Sequence, residues 1–253
     1  ASDVYKRQAE GCDKHCTYCV IPKVRGSFRS FPIEYLVNQT KKLVEGGVKE
    51  IILVAQETTL YGVDLYGKKS LPKLLHNLGL IEGLEWIRIL YCYPEEINDE
   101  LIEAIKNEPK VCHYLDMPIQ HASDNILKRM GRRTSKQELT DIVAKLRREI
   151  PDIALRTTLI TGFPGETDVD HEEVMQFIDE CEFDRLGVFT YSREEDTVAA
   201  QMPDQIDEEI KGKYRDELMQ LQQEISADRS AAMIGRIAVS YTHLRAHETR
   251  GNL

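Results

Sequence analysis

The sequence lacks the features that would place the protein in a membrane, send it out of the cell or attract it to nucleic acid. No apolar run approaches the roughly 20 residues of a membrane-spanning helix. The opening residues, ASDVYKRQ, have no apolar segment of the signal-peptide kind. Acidic residues (43) outnumber basic ones (33), so the net charge is -10. A global electrostatic grip on nucleic acid is therefore not expected.

Cysteine is also scarce, with six in 253 residues, too few for the disulfide framework of a small secreted protein. Three of them, Cys12, Cys16 and Cys19, fall within eight positions. The others are scattered: Cys92, Cys112 and Cys181. We expect a reducing, cytoplasmic environment, a metal at the clustered cysteines, and burial of the scattered ones as small apolar side chains.

Short apolar runs alternate with amphipathic stretches along the chain. Strands are expected at 50–56, 86–91, 114–119, 155–161 and 185–191. Apolar residues at helical spacing predict helices whose buried faces begin at Ile33, Ile97, Leu139, Val174 and Ile206. This alternation predicts an α/β fold with a parallel sheet that closes into a full or partial barrel, with its chemistry at the carboxyl ends of the strands.

The two ends of the chain do not fit this pattern. VYKRQ lacks the alternation of a strand, and residues 240–253 have neither helical nor strand periodicity. We expect a non-native leader over 1–8, one core domain over 9–230, the start of a truncated second domain over 231–239, and a non-native tail over 240–253.

The clustered cysteines follow the pattern C-x-x-x-C-x-x-C. Thiolates are soft ligands that select zinc or iron–sulfur clusters. Three thiolates can bind three irons of a cubane cluster and leave the fourth iron open, and open coordination is typical of catalytic metals. Structural zinc is the alternative. It would need a fourth ligand, for which the nearest candidate is His15, awkwardly placed beside Cys16.

With Tyr18 as the aromatic before the third cysteine, the pattern resembles the radical S-adenosylmethionine (SAM) enzymes. This resemblance implies a partial (βα)6 TIM-like barrel and a [4Fe–4S] cluster on Cys12, Cys16 and Cys19. It also implies that the open iron chelates SAM and that an electron from the cluster cleaves SAM to a 5′-deoxyadenosyl radical. The electron would come from a donor such as flavodoxin or ferredoxin, and Tyr18 is expected to contact SAM.

A glycine-rich turn follows the strand predicted over 155–161 and opens a helix, with Thr167 and Asp170 spaced as a capping pair. An ordinary strand-to-helix turn is the alternative interpretation. The resemblance implies contact with the adenine of SAM for these turn residues: Gly162, Phe163, Pro164, Gly165 and Glu166.

Polar residues at other strand ends are further candidates for SAM contacts. The resemblance implies that Gln56 contacts the amino group of SAM, and that Gln120 and Ser123 reach the ribose. Arg156 lies on a strand expected to be buried and needs an acidic partner, which is either the SAM carboxylate or an acid of the barrel such as Asp116.

Two other groups are expected to be structural. His121 is expected to be a buried histidine with its hydrogen bonds satisfied. The densest basic patch, Lys128 to Arg133, is expected to be a solvated loop.

From Ala9 to Ser226 the chain resembles the radical SAM methylthiotransferases, through phrases such as AEGCDKHCTYCVIPKVRGSFRS, YLDMPIQHASDNILKRMGRR and ALRTTLITGFPGET. AQETT, LYCYPEEI and GVFTYSREEDT are most similar to the branch that modifies the β-carbon of an aspartate in small-ribosomal-subunit protein twelve. The tRNA-modifying branch typically has G-Q-N-V where this chain has Ala55-Gln56-Glu57-Thr58. A tRNA methylthiotransferase and a catalytically silent metal-binding module remain the alternatives.

This resemblance implies that one SAM methylates a sulfur and a second is cleaved, after which the methylthio group joins the substrate carbon radical. It also implies an amino-terminal domain with a second cluster and a carboxy-terminal TRAM domain, whose opening strand Met233 to Val239 resembles. We therefore expect the radical SAM core alone, which binds the cluster and SAM but does not complete the transfer. The expected partner is the ribosomal protein, with no membrane and no direct contact with nucleic acid.

Overall fold

The computed structural model describes residues 2–235, in which a curled sheet of six parallel strands lies against a layer of helices. The strands are β1 (Ser2–Arg7), β2 (Ala9–Glu10), β3 (Arg29–Ser30), β4 (Val48–Val54), β5 (Trp86–Ile89), β6 (Val111–Asp116), β7 (Ala154–Thr161) and β8 (Arg185–Thr190). The main sheet has the order β1-β4-β5-β6-β7-β8, while β2 and β3 form a separate antiparallel pair. This arrangement confirms the partial barrel.

The helices are α1 (Ile21–Arg25), α2 (Ile33–Glu45), α3 (Val63–Tyr66), α4 (Leu71–Gly79), α5 (Asp99–Asn107), α6 (Asp124–Arg129), α7 (Lys136–Glu149), α8 (Asp168–Cys181) and α9 (Glu208–Ala231). All five predicted strands and all five predicted helices are confirmed, with shifts of a few residues at the ends. The buried face predicted from Ile206 is wrong at its start, because Ile206 precedes α9 and Ile210 is 43% exposed. Within residues 2–235, no helix combines the length and apolarity needed to cross a bilayer.

Although VYKRQ lacks the apolar alternation of a strand, most of it lies in the strand β1, while the non-native leader over 1–8 stays a prediction. Ser2–Arg7 pairs in parallel with β4, and Tyr5 stands opposite Ile52. As the edge of the sheet, β1 needs backbone pairing on one side only, and Tyr5 is 65% exposed. An edge strand of this kind need not carry the apolar alternation that reveals a buried one. The predicted tail over 240–253 and most of the 231–239 segment lie outside the described residues.

The main core lies between the sheet and the helices. Burial along β7 alternates, so that Leu155, Thr157 and Leu159 are fully covered while their neighbours are partly accessible on the other face. Leucines of α4 and Phe177 of α8 pack into the same apolar cluster. The sheet is therefore a rigid support whose carboxyl-end loops carry the polar residues discussed below.

Capping fixes the starts of the two helices nearest these loops. The predicted pair Thr167 and Asp170 forms a complete capping box at α8, since each side chain accepts a backbone N–H at the other's position. Ser135 and Glu138 form a second box at α7. The turn that precedes α8 is thus held at its helical end.

Candidate active site

The cysteine segment begins at a glycine that no other residue can replace without moving the backbone. Gly11 has φ +76°, and a Cβ there would lie 2.2 Å from the Ser27 carbonyl oxygen. The Cys12 N–H donates to the Gly26 carbonyl at 3.1 Å, and the β2–β3 pair closes the loop. The segment that carries the three thiols is therefore tied back onto itself beside the sheet.

The three thiols lie in a half-buried environment with nearby donors. Cys12 is buried, while Cys16 and Cys19 are partly exposed. Backbone N–H groups of Lys14 and Ile21 donate to the sulfurs of Cys12 and Cys19 at 3.4 and 3.5 Å. Burial raises the pKa of both thiols, and these two donors oppose that rise because they favour the thiolate.

A cavity of about 550 Å³ opens beside the thiols at the carboxyl ends of β1, β4 and β5. Its walls include Cys12, Cys19 and Gln56, together with Tyr91 and Tyr93. The Gln56 side-chain oxygen is buried and has no hydrogen-bond partner among residues 2–235. The structure thus places Gln56, a predicted SAM contact, beside the cysteines, and its side-chain oxygen accepts no hydrogen bond from the described residues.

Glu57 is a residue that sequence reasoning passed over. Its side chain is almost fully buried, and one carboxylate oxygen accepts the Thr59 N–H at 2.8 Å and the Thr59 hydroxyl. Its other oxygen is buried without a partner in the described part of the chain. Burial raises the pKa of Glu57 to about 7, although the bonds from Thr59 and the charge of Lys14 oppose the rise. The signal that could have identified Glu57 in the sequence was its position next to Gln56 at the end of a buried strand.

The turn before α8 contains two glycines in the left-handed region, Gly162 at φ +70° and Gly165 at φ +81°. One carboxylate oxygen of the buried Glu166 accepts the N–H groups of Gly162 and Phe163 at 2.5 and 3.0 Å. The Lys211 side chain crosses Gly162 so closely that a Cβ there would lie 2.0 Å from the lysine Cγ. Glu166 and Lys211 therefore fix the turn from two sides.

The turn also reaches the cysteine motif through aromatic rings. Phe163 is fully buried and meets Tyr18 edge-to-face, with 6.4 Å between ring centroids, and Tyr191 at 5.4 Å. Pro164 is buried beside it. Two predicted SAM contacts from distant parts of the chain, Tyr18 and Phe163, are thereby brought together.

His121 is buried, as predicted, and its tautomer follows from its neighbours. Its Nδ1 accepts the Ser123 N–H at 3.0 Å, so the proton of the neutral ring is on Nε2. Nε2 lies 3.3 Å from the second carboxylate oxygen of Glu166. Neither atom has a hydrogen bond within residues 2–235, so the predicted burial of His121 is confirmed, but the prediction that its hydrogen bonds are all satisfied is wrong.

The remaining predicted contacts are held by protein groups. The Ser123 hydroxyl donates to Asp170 at 2.5 Å, and Gln120 has φ +72° with its backbone bonded to Thr158 and Ile160. Arg156 donates to Asp116 at 3.2 Å, the barrel acid named as one of its two possible partners. Among residues 2–235, the walls of the cavity beside the thiols do not include Gln120, Ser123 or Arg156.

Within the same residues, no three His, Cys, Asp or Glu side chains converge on a point where a single metal ion would bind. A cubane cluster has a different requirement, because each thiolate binds a different iron. Thiol chemistry, the loop spacing and the adjoining cavity of Cys12 and Cys19 fit a cluster of that kind.

Comparison with known proteins supplies independent information. The model of the radical SAM superfamily matches residues 9–178. The ribosomal protein uS12 methylthiotransferase RimO of Lachnoclostridium phytofermentans is 66% identical over 228 residues, which are 90% of this chain and 52% of that protein. RimO of Clostridium perfringens is 56% identical over 232 residues, 92% of this chain and 52% of its own length. The chain thus spans about half the length of these curated relatives.

The similarity to solved structures concerns the fold only, because the sequence identities are low. The radical SAM methyltransferase TsrM from Kitasatospora setae, solved with cobalamin and a [4Fe-4S] cluster, superposes with a TM-score of 0.61 at 16% identity. That match covers 74% of this chain and 36% of TsrM. Methylornithine synthase (PylB) gives a TM-score of 0.62 at 11% identity over 88% of this chain and 62% of its own.

Proposed function

Because the chain belongs to the radical SAM superfamily, we propose that it is the SAM-cleaving core, over residues 9–230, of a methylthiotransferase that modifies an aspartate of ribosomal protein uS12. The observation that carries this proposal is the position of the C-x-x-x-C-x-x-C thiols beside a cavity at the carboxyl end of a parallel sheet. A cavity of about 550 Å³ lies within the range of small-molecule sites, roughly 300–1,000 Å³. The identity to RimO supports the choice of substrate.

Cys12, Cys16 and Cys19 would hold a [4Fe–4S] cluster. When bound, the cluster and SAM would together supply hydrogen-atom abstraction from an unactivated carbon. The protein's part is to bind, orient and shield these groups. The two orphaned acceptors, on Gln56 and Glu57, are suited to the ammonium group of SAM, because a buried acceptor without a donor costs free energy until a ligand supplies one.

The adenine would lie against Tyr18 and the Gly162–Glu166 turn, whose backbone is held by Glu166. Gln120 and Ser123 are proposed ribose contacts, and Ser123 can offer only a lone pair while its hydroxyl donates to Asp170. Arg156 has further guanidinium donors beyond its one bond to Asp116, and these are proposed to bind the SAM carboxylate.

The aspartate-bearing protein substrate fits an acidic chain, whose net charge of -10 gives no general affinity for tRNA. We further propose a cytoplasmic protein and a small electron carrier, such as flavodoxin or ferredoxin, as the source of electrons.

Cluster binding is tested by anaerobic reconstitution with iron and sulfide. We expect visible absorbance of an iron–sulfur cluster in the parent, its loss in Cys16→Ala, and its retention in the matched control Cys112→Ala. Reduction with dithionite in the presence of SAM should release 5′-deoxyadenosine. A parent without the absorbance, or a reduced holoprotein that leaves SAM intact, would contradict the proposal.

The substrate is tested separately with a chimera. Residues 9–230 of this chain replace the matching part of the Lachnoclostridium relative, to which they are closely similar. Incubation with uS12 should add a methylthio group to an aspartate, detected by mass spectrometry, and incubation with tRNA should add none. Modified tRNA with unmodified uS12 would favour the tRNA-modifying branch instead.

A further inference from the structure

Tyr93 follows β5 and lines the cavity beside the thiols. Its hydroxyl lies 3.8 Å from the sulfur of Cys16, within the range of a hydrogen bond to sulfur. A thiolate has no proton to give, so once Cys16 is ionised only the hydroxyl can donate. The contact therefore acts on the electron density of one proposed cluster ligand.

Arg132 holds the ring of Tyr93. The basic patch that contains it was expected to be solvated, and for Arg132 that expectation is wrong, since its side chain is 1% exposed. The guanidinium carbon lies 4.2 Å from the Tyr93 ring centroid, and the group donates to the Pro118 carbonyl at 3.1 Å and lies 3.8 Å from Glu95. Cation–π contacts are strongest when desolvated in this way.

A second cation also lies over the Tyr93 ring. Lys14, inside the cysteine motif, has its Nζ 5.0 Å from the ring centroid. The same Nζ binds Glu96 at 2.5 Å, and Glu96 also binds Lys69 at 2.8 Å. The ring is therefore surrounded by a network of three cations and two carboxylates, namely Lys14, Lys69 and Arg132 with Glu95 and Glu96.

The turn that bears Arg132 packs against one neighbour of Cys16, His15, and is hydrogen-bonded to the other, Thr17. Gly131 has φ +73°, and a Cβ there would lie 2.8 Å from the His15 carbonyl oxygen. Thr17 donates its N–H to the Met130 carbonyl at 2.9 Å and its hydroxyl to the carbonyl of Arg129 at 2.8 Å. The carboxyl end of α6 and the middle of the cysteine motif are therefore one packed unit.

We propose that Tyr93 is a positioning residue that donates a hydrogen bond to the Cys16 sulfur, held in place by Arg132, and that this pair helps to set the reduction potential of the cluster. The inference rests on the proposed function, because it presumes a cluster at Cys16. Hydrogen bonds to ligand sulfurs are one of the protein's means of tuning such potentials. A donated bond stabilises the more negative, reduced cluster, so its loss shifts the midpoint potential downward.

The test uses Tyr93→Phe, which removes the hydroxyl alone, and Tyr91→Phe, which removes a hydroxyl from another tyrosine on the same cavity. After reconstitution, iron and sulfide content and the midpoint potential are measured. We expect Tyr93→Phe to keep its cluster at a more negative potential, and Tyr91→Phe to match the parent. Arg132→Met should shift the potential in the same direction as Tyr93→Phe. A Tyr93→Phe potential equal to that of the parent would overturn the inference.

A failure of the proposed function is distinguished by measurements on metal-free protein. If the parent takes up no iron, the proposed function fails, and the contact is tested by a double-mutant cycle between Tyr93→Phe and Cys16→Ala. Non-additive free energies of unfolding, with additivity for Tyr91→Phe and Cys16→Ala, support the contact. Additivity in both cycles would overturn it.

Discussion

Replacing Glu166 by glutamine tests whether a buried carboxylate holds the turn before α8. The oxygen of the new amide can still accept the N–H groups of Gly162 and Phe163. Its nitrogen, however, would face Nε2 of His121, which carries a proton because Nδ1 accepts the Ser123 N–H. Two donors would then oppose each other at a site that is closed to water.

The cost follows from the bonds involved. The variant weakens two charge-assisted hydrogen bonds and adds a buried amide nitrogen that has no acceptor, or else moves the His121 proton and breaks the bond from Ser123. An unsatisfied buried group costs about 1–3 kcal/mol, and the loss of charge adds to this. We expect Glu166→Gln to lower the free energy of unfolding by about 2–4 kcal/mol.

The assay is urea-induced unfolding at neutral pH, with Glu138→Gln as the matched control. Glu138 also accepts two bonds, from the N–H and hydroxyl of Ser135, but it is exposed, and glutamine suits a capping box equally well. The control should cost less than about 0.5 kcal/mol. SAM affinity of the holoprotein should fall in Glu166→Gln alone. Equal unfolding costs for the two variants would refute the reasoning.

Two further outcomes are expected. Gly131→Ala should destabilise the protein by about 1–3 kcal/mol, since its Cβ meets the His15 carbonyl at a positive φ. Gly212→Ala, in an open position of α9, should stabilise it by about 0.5–1 kcal/mol. If the two variants changed the melting temperature by the same amount, both expectations would be contradicted. The pKa of Glu57 rises from 4.5 to about 7 on burial, so the folded form binds the extra proton, and metal-free protein should lose stability as pH rises through that interval. Glu57→Gln should remove this pH dependence of the free energy of unfolding, which amounts to about 3 kcal/mol at most. If the free energy of unfolding of the variant changes between pH 5 and pH 8 as steeply as that of the parent, the expectation is contradicted.

Most of the fold could be predicted because its inner strands carry clustered apolar residues. β4, which is buried at most positions, appears in the sequence as an apolar run, whereas β7 alternates buried with partly accessible positions. The edge strand β1 has no such signature. Helix α6 was missed because Ile126 and Leu127, though fully buried, sit in a helix of six residues, too short to show a period.

In the site, as in the fold, features that depend on neighbouring residues in the sequence could be predicted, and features that depend on distant residues could not. The spacing of the three cysteines is local, so the sequence alone is sufficient to propose a cluster there. Asp116 could be named as one of two possible partners of Arg156, beside the SAM carboxylate, because it lies on a strand expected nearby. The strand register places Asp116 opposite Arg156. The burial of Arg132 could not be predicted, because it depends on the ring of Tyr93, far away along the chain, and its neighbour Arg133 is exposed.

The order of the sheet has one more consequence. In a closed eight-stranded barrel the interior is filled by side chains, so a ligand reaches the site only from the face that the carboxyl-end loops form. Within residues 2–235 the sheet instead ends at β1 on one side and β8 on the other, so the ring of strands has a gap between these two. A reactive side chain that is still attached to a large folded body can approach through such a gap sideways. The size limit on what reaches the cavity is then set by the thickness of the approaching loop and not by the mass of the molecule that carries it.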